Sequence, residues 1–268
     1  MKTLVNLACG SNYINKSNWI NLDFNSKSKN VKTANLINKI PLKNNSVDFI
    51  YSSHFIEHLE NKDLNKLLDE IFRILKPGGI LRLSTPNFEY LVKEYIRLKK
   101  EKEMNDEIKN KIKYLKLLLI DQIFRTKSGG NLKPFYLNLS ENLNKYCLEI
   151  GGSFIKNKKN DEKFITKLKR ITLKKIFYKL RIAIALLILP NFFREKNISM
   201  SQPGELHRWV YDYFELKDIL TKKGFLKVYK FKAGETNSQF KSDIKELELL
   251  NSKIDRKGKS NLIVECKK

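Results

Sequence analysis

Short apolar runs alternate with polar turns through residues 1–87. Thr3-Leu4-Val5-Asn6-Leu7-Ala8 empties into Cys9-Gly10-Ser11-Asn12 and reads as a buried strand entering a loop. Trp19-Ile20-Asn21-Leu22-Asp23 alternates apolar and polar residues and predicts a second strand; Ser46 to Ser52 predicts a third. From Asp63 to Leu75, Leu64, Leu67, Leu68, Ile71, Phe72 and Leu75 recur at helical spacing, and Lys76-Pro77-Gly78-Gly79 stops that helix. Gly79 to Ser84 predicts the next strand. Strands alternating with helices point to an α/β fold with a mainly parallel sheet.

Residues 88–204 break this rhythm. Lysine-rich helical stretches are predicted near 88–124 and 162–189, with glycines and asparagines between them. The α/β pattern then resumes, so 88–204 reads as an insertion into one domain built from 1–87 and 205–268. Tyr211 to Lys223 predicts a helix with Phe214, Leu216, Ile219 and Leu220 inward and Gly224 as its cap. Phe225 to Tyr229 and Ser260 to Cys266 predict the closing strands.

Composition narrows the class. Of 268 residues, 41% are hydrophobic and 31% charged, which is a globular balance. Cys9, Cys147 and Cys266 are too few and too scattered for a disulfide framework or a zinc site, and no metal ion is assigned. The apolar stretch at the N-terminus is too short for a signal peptide, and no run of about 18 apolar residues spans a bilayer. The expected compartment is the cytoplasm. The net charge of +24 suggests an anionic partner, but 44 lysines and 27 asparagines also fit a coding bias that puts lysine at ordinary solvated positions. The charge is uneven: residues 151–200 hold 13 Lys and Arg against 3 Asp and Glu.

A parallel strand that ends in a small-residue turn lets a ligand approach the backbone. Asp23 ends the next strand 13 residues after Gly10, where a carboxylate can accept both hydroxyl hydrogens of a ribose. One glycine and a short crossover do not make the usual dinucleotide signature.

Leu4-Val5-Asn6-Leu7-Ala8-Cys9-Gly10-Ser11 followed by Trp19-Ile20-Asn21-Leu22-Asp23 resembles the opening of class I S-adenosylmethionine-dependent methyltransferases. In particular it is similar to small bacterial methyltransferases of the type 11 kind linked to polysaccharide biosynthesis. The resemblance continues through Asn35-Leu36, Ile40-Pro41-Leu42, Ser46 to Leu59 with its His54-Phe55-Ile56-Glu57-His58, and Glu70 to Leu81. It returns at His207-Arg208-Trp209-Val210-Tyr211. It implies a Rossmann-like fold, with a seven-stranded, mostly parallel sheet and an antiparallel last strand. It also implies S-adenosylmethionine as cofactor. Leu7, Ala8, Cys9, Gly10 and Ser11 would lie against its methionine part, Asp23 would hold the ribose, Asn35 and Leu36 would meet the adenine, and Ser53 and His54 would edge it. Ala8 stands where the family has glycine, adding a methyl group, and Asn35 where it has aspartate.

Methyl transfer needs a base only when the acceptor must lose a proton. His207, at the cleft mouth where the insertion closes, is the preferred base and His54 the second; Glu57 and His58 are read as packing and capping the following helix. The expected acceptor is a small molecule, glycan or lipid-linked sugar, methylated at oxygen. A basic amphipathic stretch and an apolar run within 164–194 suit the surface of an anionic membrane, or instead a core cover or homodimer contact. Two other readings stay open: an RNA or other nucleic-acid methyltransferase, and a cofactor-binding protein without activity. The first is weakened because Ser52-Ser53-His54-Phe55 replaces the Asn/Asp-Pro-Pro-aromatic motif of base-amine enzymes, and no cysteine follows a proline.

Overall fold

Leu4, Val5 and Leu7 are wholly buried, so the first strand has no solvent face, as a central parallel strand requires. The computed structural model describes residues 1–25, 28–125, 128–137, 139–152 and 206–268, together with single positions between 177 and 190. In chain order these form β1 (Leu4–Leu7), β2 (Trp19–Asp23), β3 (Lys32–Thr33), β4 (Val47–Ser53), α1 (Asn61–Ile74), β5 (Leu75–Pro86), α2 (Phe88–Lys99) and α3 (Asp106–Lys116). Then come α4 (Gln122–Phe124), α5 (Leu132–Phe135), α6 (Glu141–Gly151), α7 (Tyr213–Lys222), β6 (Leu226–Phe231), α8 (Lys241–Glu248), β7 (Leu249–Leu250), β8 (Ile254–Asp255) and β9 (Asn261–Lys267).

Seven strands make one sheet in the order β3-β2-β1-β4-β5-β9-β6. β1 to β5 run parallel, and β9 is antiparallel to both β5 and β6. The expected seven-stranded mixed sheet with a reversed last strand is therefore present. Chain progression reverses between β1 and β4, and the carboxyl ends of those strands open a crevice at that switch point.

Lys76-Pro77-Gly78-Gly79 does more than stop α1. Val47 pairs with Leu75 and Phe49 with Ile80, so the segment between is a bulge inside β5. A Cβ on Gly79 would stand 2.8 Å from the Lys76 carbonyl oxygen, which keeps that position glycine. The nearby Glu70 and Arg73 are also structural. Arg73 donates to both Glu70 oxygens at 2.7 Å and to the Ile40 carbonyl at 3.0 Å, while Glu70 accepts the Ile40 N–H at 2.7 Å. Together they tie the loop after β3 to α1.

Two sequence expectations need correction. The stretch 88–124 is not one helix: α2 ends at Lys99, and Asn105 caps α3 by accepting the Ile108 N–H at 3.0 Å. Phe214 does not face inward; it is 72% exposed, while Leu216 and Leu220 of the same helix are buried. α7 starts only after Asp212, which accepts the Glu215 N–H at 2.9 Å, and this phase turns the first-turn Phe214 to solvent. The expected helix near 162–189 lies largely outside the described residues.

Helices α2, α3, α5 and α6 share a second core of Leu91, Leu98, Tyr114, Leu115, Leu143, Cys147 and Ile150. It is joined to the sheet through backbone: Lys259 N–H donates to the Glu149 carbonyl at 2.8 Å and Ser260 N–H to that of Ile150 at 3.0 Å. Gly152, at φ +72°, permits this approach, since a Cβ there would lie 2.2 Å from the Arg256 carbonyl oxygen.

On the far face of the sheet, Arg82 is fully buried and forks onto Glu248 at 2.6 and 2.7 Å and onto Glu265 at 2.7 Å. Glu248 also accepts the Gly234 N–H at 2.8 Å, and Glu265 the Thr236 hydroxyl at 2.7 Å. Removing one partner of such a buried set strands the other charges. Arg82→Leu is expected to cost about 3–5 kcal/mol of stability in urea unfolding; a loss under about 1 kcal/mol would show that the carboxylates take protons and repack instead.

Candidate active site

The loop after β1 turns sharply. Ala8 is in the left-handed region at φ +52°, and Gly10 follows at φ +55°. A Cβ on Gly10 would meet nothing within 4 Å, so space stands open above the loop and glycine serves the backbone conformation rather than packing. Asp23, at the end of β2, reaches this loop: its Oδ2 accepts the Gly10 N–H at 2.8 Å and its Oδ1 the Asn25 N–H at 3.1 Å. A carboxylate has about four acceptor positions, so two remain for hydroxyl donors. Cys9 is buried behind the loop; burial first, then the charge of Asp23, pushes its thiol up to about 12, which leaves it protonated and inert.

The remaining cofactor candidates divide. Asn35 is exposed, and its Oδ1 accepts the Ile37 N–H at 3.2 Å. Leu36 is buried in the main core, so it offers backbone rather than side chain to a ligand. Ser53 lies at the end of β4, and its hydroxyl donates to that of Ser84 at 3.4 Å. Next to it, His54 is left-handed at φ +52°, an uncommon conformation for a residue with a side chain. Its N–H is held at 2.7 Å by the Ser84 carbonyl.

All three histidines of the chain meet around Glu57. His54 Nδ1 lies 3.2 Å from Glu57 Oε1, without the alignment of a hydrogen bond. The rings of His58 and His207 meet edge to face with centroids 4.8 Å apart. Glu57 Oε2 accepts the Thr85 hydroxyl at 3.2 Å. The Glu57 carbonyl accepts the N–H groups of Arg208 at 2.6 Å and Trp209 at 3.2 Å, which draws the segment after residue 205 onto the ends of β4 and β5. His207 N–H in turn donates to the Gln122 carbonyl at 2.9 Å. The helical layer holds a cavity of about 980 Å³ lined in part by Lys113, Asp121, Phe124 and Arg125.

The electrostatics of the cluster are unusual. Burial opposes ionisation of Glu57, but His54, and then His58 and His207, outweigh it and hold the carboxyl at about 2. Burial, with smaller pushes from His58, His54 and Arg125 against the pull of Glu57, brings His207 down to about 4. His54 is lowered as well, by burial first and then by the charge of Lys257. At neutral pH the cluster therefore holds an ionised Glu57 beside unprotonated His54 and His207. Sequence reading singled out His54 and His207 but gave Glu57 and His58 a packing role. Their convergence has no local signal, because residue 207 lies 150 positions after Glu57.

The Ala8 side chain is a strain as well as a methyl group. A left-handed conformation costs an L-residue about 1–2 kcal/mol, against about 0.4–1 kcal/mol for the greater freedom of glycine in the unfolded chain. Ala8→Gly is expected to raise stability by roughly 0.5–1 kcal/mol in thermal or urea unfolding. A decrease would show that the methyl group packs favourably enough to offset the strain.

Residues 16–83 match the family model described as Methyltransferase domain (Methyltransf_11). The chain is 43% identical over 49 residues to a "Probable S-adenosylmethionine-dependent methyltransferase" of Mycolicibacterium smegmatis; the match covers 18% of each protein. Among solved structures it is similar to a SAM-dependent methyltransferase from Archaeoglobus fulgidus, at 14% identity and TM-score 0.40, covering 100% of this chain and 86% of that one. It is also similar to an S-adenosylmethionine-dependent methyltransferase from Mesorhizobium loti, at 14% identity and TM-score 0.35, covering 99% of this chain and 90% of the other. Over residues 16–83, the chain is thus similar in sequence to a methyltransferase domain.

Proposed function

We propose that the protein transfers a methyl group from S-adenosylmethionine to a hydroxyl oxygen of a small-molecule, glycan or lipid-linked sugar acceptor. The observation that carries this reading is the pairing of two features along one sheet edge. An open loop whose carboxylate keeps free acceptor positions ends β1 and β2, and an ionised Glu57 beside unprotonated His54 and His207 follows β4.

The residues fit the cofactor. Asp23 keeps two acceptor positions for ribose hydroxyls, and the space above Gly10 admits a ligand against the backbone. The bound cofactor supplies an electrophilic methyl on a sulfonium. The protein then has little chemistry to perform beyond alignment, since holding nucleophile and methyl in line removes most of the entropic barrier. A hydroxyl must also lose its proton, and the Glu57–histidine cluster is the group placed to promote that. Asp23→Ala is expected to weaken S-adenosylmethionine binding at least tenfold in calorimetry. His207→Ala is expected to leave that binding intact while cutting methyl transfer at least a hundredfold. Transfer of labelled methyl into glycan or lipid fractions supports the proposed acceptor class; label in RNA alone, or none with cofactor bound, would refute it.

Support for an acceptor at a membrane surface comes from residues 177–188. Phe177, Leu180, Ile184, Leu187 and Ile188 are helical and exposed, with spacings of three and four residues that set them along one face. The excess of 13 basic over 3 acidic residues in 151–200 suits anionic headgroups. No described helix is long and apolar enough to cross a membrane. The protein is expected to co-sediment with phosphatidylglycerol vesicles at low salt and to be released as salt is raised; absence of binding at low salt would exclude this surface.

A further inference from the structure

We propose that Glu57, His58 and His207 form a binding site for one divalent transition-metal ion, with open coordination positions for the acceptor oxygen. The inference rests on the oxygen-acceptor reading and gives the Glu57 cluster a specific chemistry.

One ligand atom from each of the three residues lies within 4.8 Å of the others. Ligands around a tetrahedral ion of the zinc class stand about 3.4 Å apart, so side-chain rotation by about an ångström closes the site. Two imidazoles and one carboxylate are a donor set that suits Zn²⁺, Co²⁺ or Mn²⁺. Three protein ligands leave coordination open, which is the pattern of a catalytic rather than a structural site.

Two further observations point to a ligand. Glu57 is fully buried, yet its Oε1 faces His54 Nδ1 at 3.2 Å without the alignment of a hydrogen bond. A buried carboxylate oxygen without a donor is costly unless a cation or donor completes it. His58 Nδ1 faces the Leu206 carbonyl at 2.9 Å. A carbonyl only accepts, so Nδ1 carries the proton and Nε2 keeps its lone pair. Metal-binding histidines are oriented this way, by a bond from the other ring nitrogen to a backbone carbonyl. The Thr85 hydroxyl on Glu57 Oε2 orients the carboxylate in the same manner.

The surroundings select the ion. Arg125 and Lys257 add positive charge near His207 and His54. They oppose an ion held by charge alone, such as Mg²⁺ or Ca²⁺, and favour one that bonds strongly to imidazole. A hydroxyl on such an ion would be acidified, as bound water is, and would release its proton to water; its oxygen would then bond to the methyl carbon as the S–CH3 bond breaks and S-adenosylhomocysteine leaves. In this arrangement His207 acts as a ligand and not as a free base.

The test uses the full-length protein, stripped with chelator and titrated with Co²⁺ and Zn²⁺ by calorimetry and by visible absorption of the cobalt form. One equivalent is expected for each metal, with no heat from Mg²⁺ at the same concentrations. Glu57→Gln, His58→Ala and His207→Ala are each expected to weaken binding at least tenfold. Circular dichroism of each variant checks folding, and any one that stays folded suffices. Absence of stoichiometric binding, or binding kept in every folded variant, overturns the site. S-adenosylmethionine titration of the same samples separates the two proposals: cofactor binding without metal removes only the metal site, and metal binding without cofactor removes only the methyltransferase reading.

Discussion

A single buried carboxylate organises the working edge of this protein. Glu57 sits just past β4, where its side chain meets the hydroxyl of Thr85 on β5 and its carbonyl captures Arg208 and Trp209. A charge removed from water must be compensated locally. The Thr85 hydroxyl supplies part of that compensation, and three histidines crowd around the carboxylate, two of them from the same turn as Glu57. The third, His207, belongs to the chain as it returns from the insertion. The demand of one buried charge thus joins the first and last parts of the sheet domain and brings the helical layer beside them.

The sheet places this edge against the cofactor loop. Because β1 is flanked by β2 on one side and β4 on the other, the loops after β1 and β4 diverge and leave a crevice. The left-handed turn at Ala8 aims the Gly10 N–H at Asp23, while the left-handed His54 turns the chain from β4 into the Glu57 segment. Both strained residues lie where a ligand would be held, in keeping with strain concentrating at functional positions. The rest of the fold makes that strain tolerable. Arg82 with its two glutamates anchors β5 to β9, and Glu70 with Arg73 anchors the loop after β3.

Much of this was legible from local pattern. The buried strand Leu4–Leu7, the alternating Trp19–Asp23 and the periodic α1 follow from side-chain spacing alone, since a period of 2 or 3.6 suits only one kind of element. The break between α2 and α3 was less visible, because Lys100-Glu101-Lys102-Glu103-Met104 carries no strong stop, and only Asn105 as a cap reveals it. The phase of α7 was misread at Phe214 because a single apolar residue in a first turn does not define a face.

The amino-acid sequence by itself determined the order of strands and helices, the loop and carboxylate that suit a nucleoside, and the excess of basic charge in the insertion. Each depends on neighbours close along the chain. Only the tertiary structure decided that Glu57, His58 and His207 share one buried point, that Arg82 is sealed between Glu248 and Glu265, and that Ala8 is left-handed. Such contacts join residues up to 183 positions apart, and their energies arise from removing water around charges. No local spacing encodes that; it exists only once the sheet has brought its edges together.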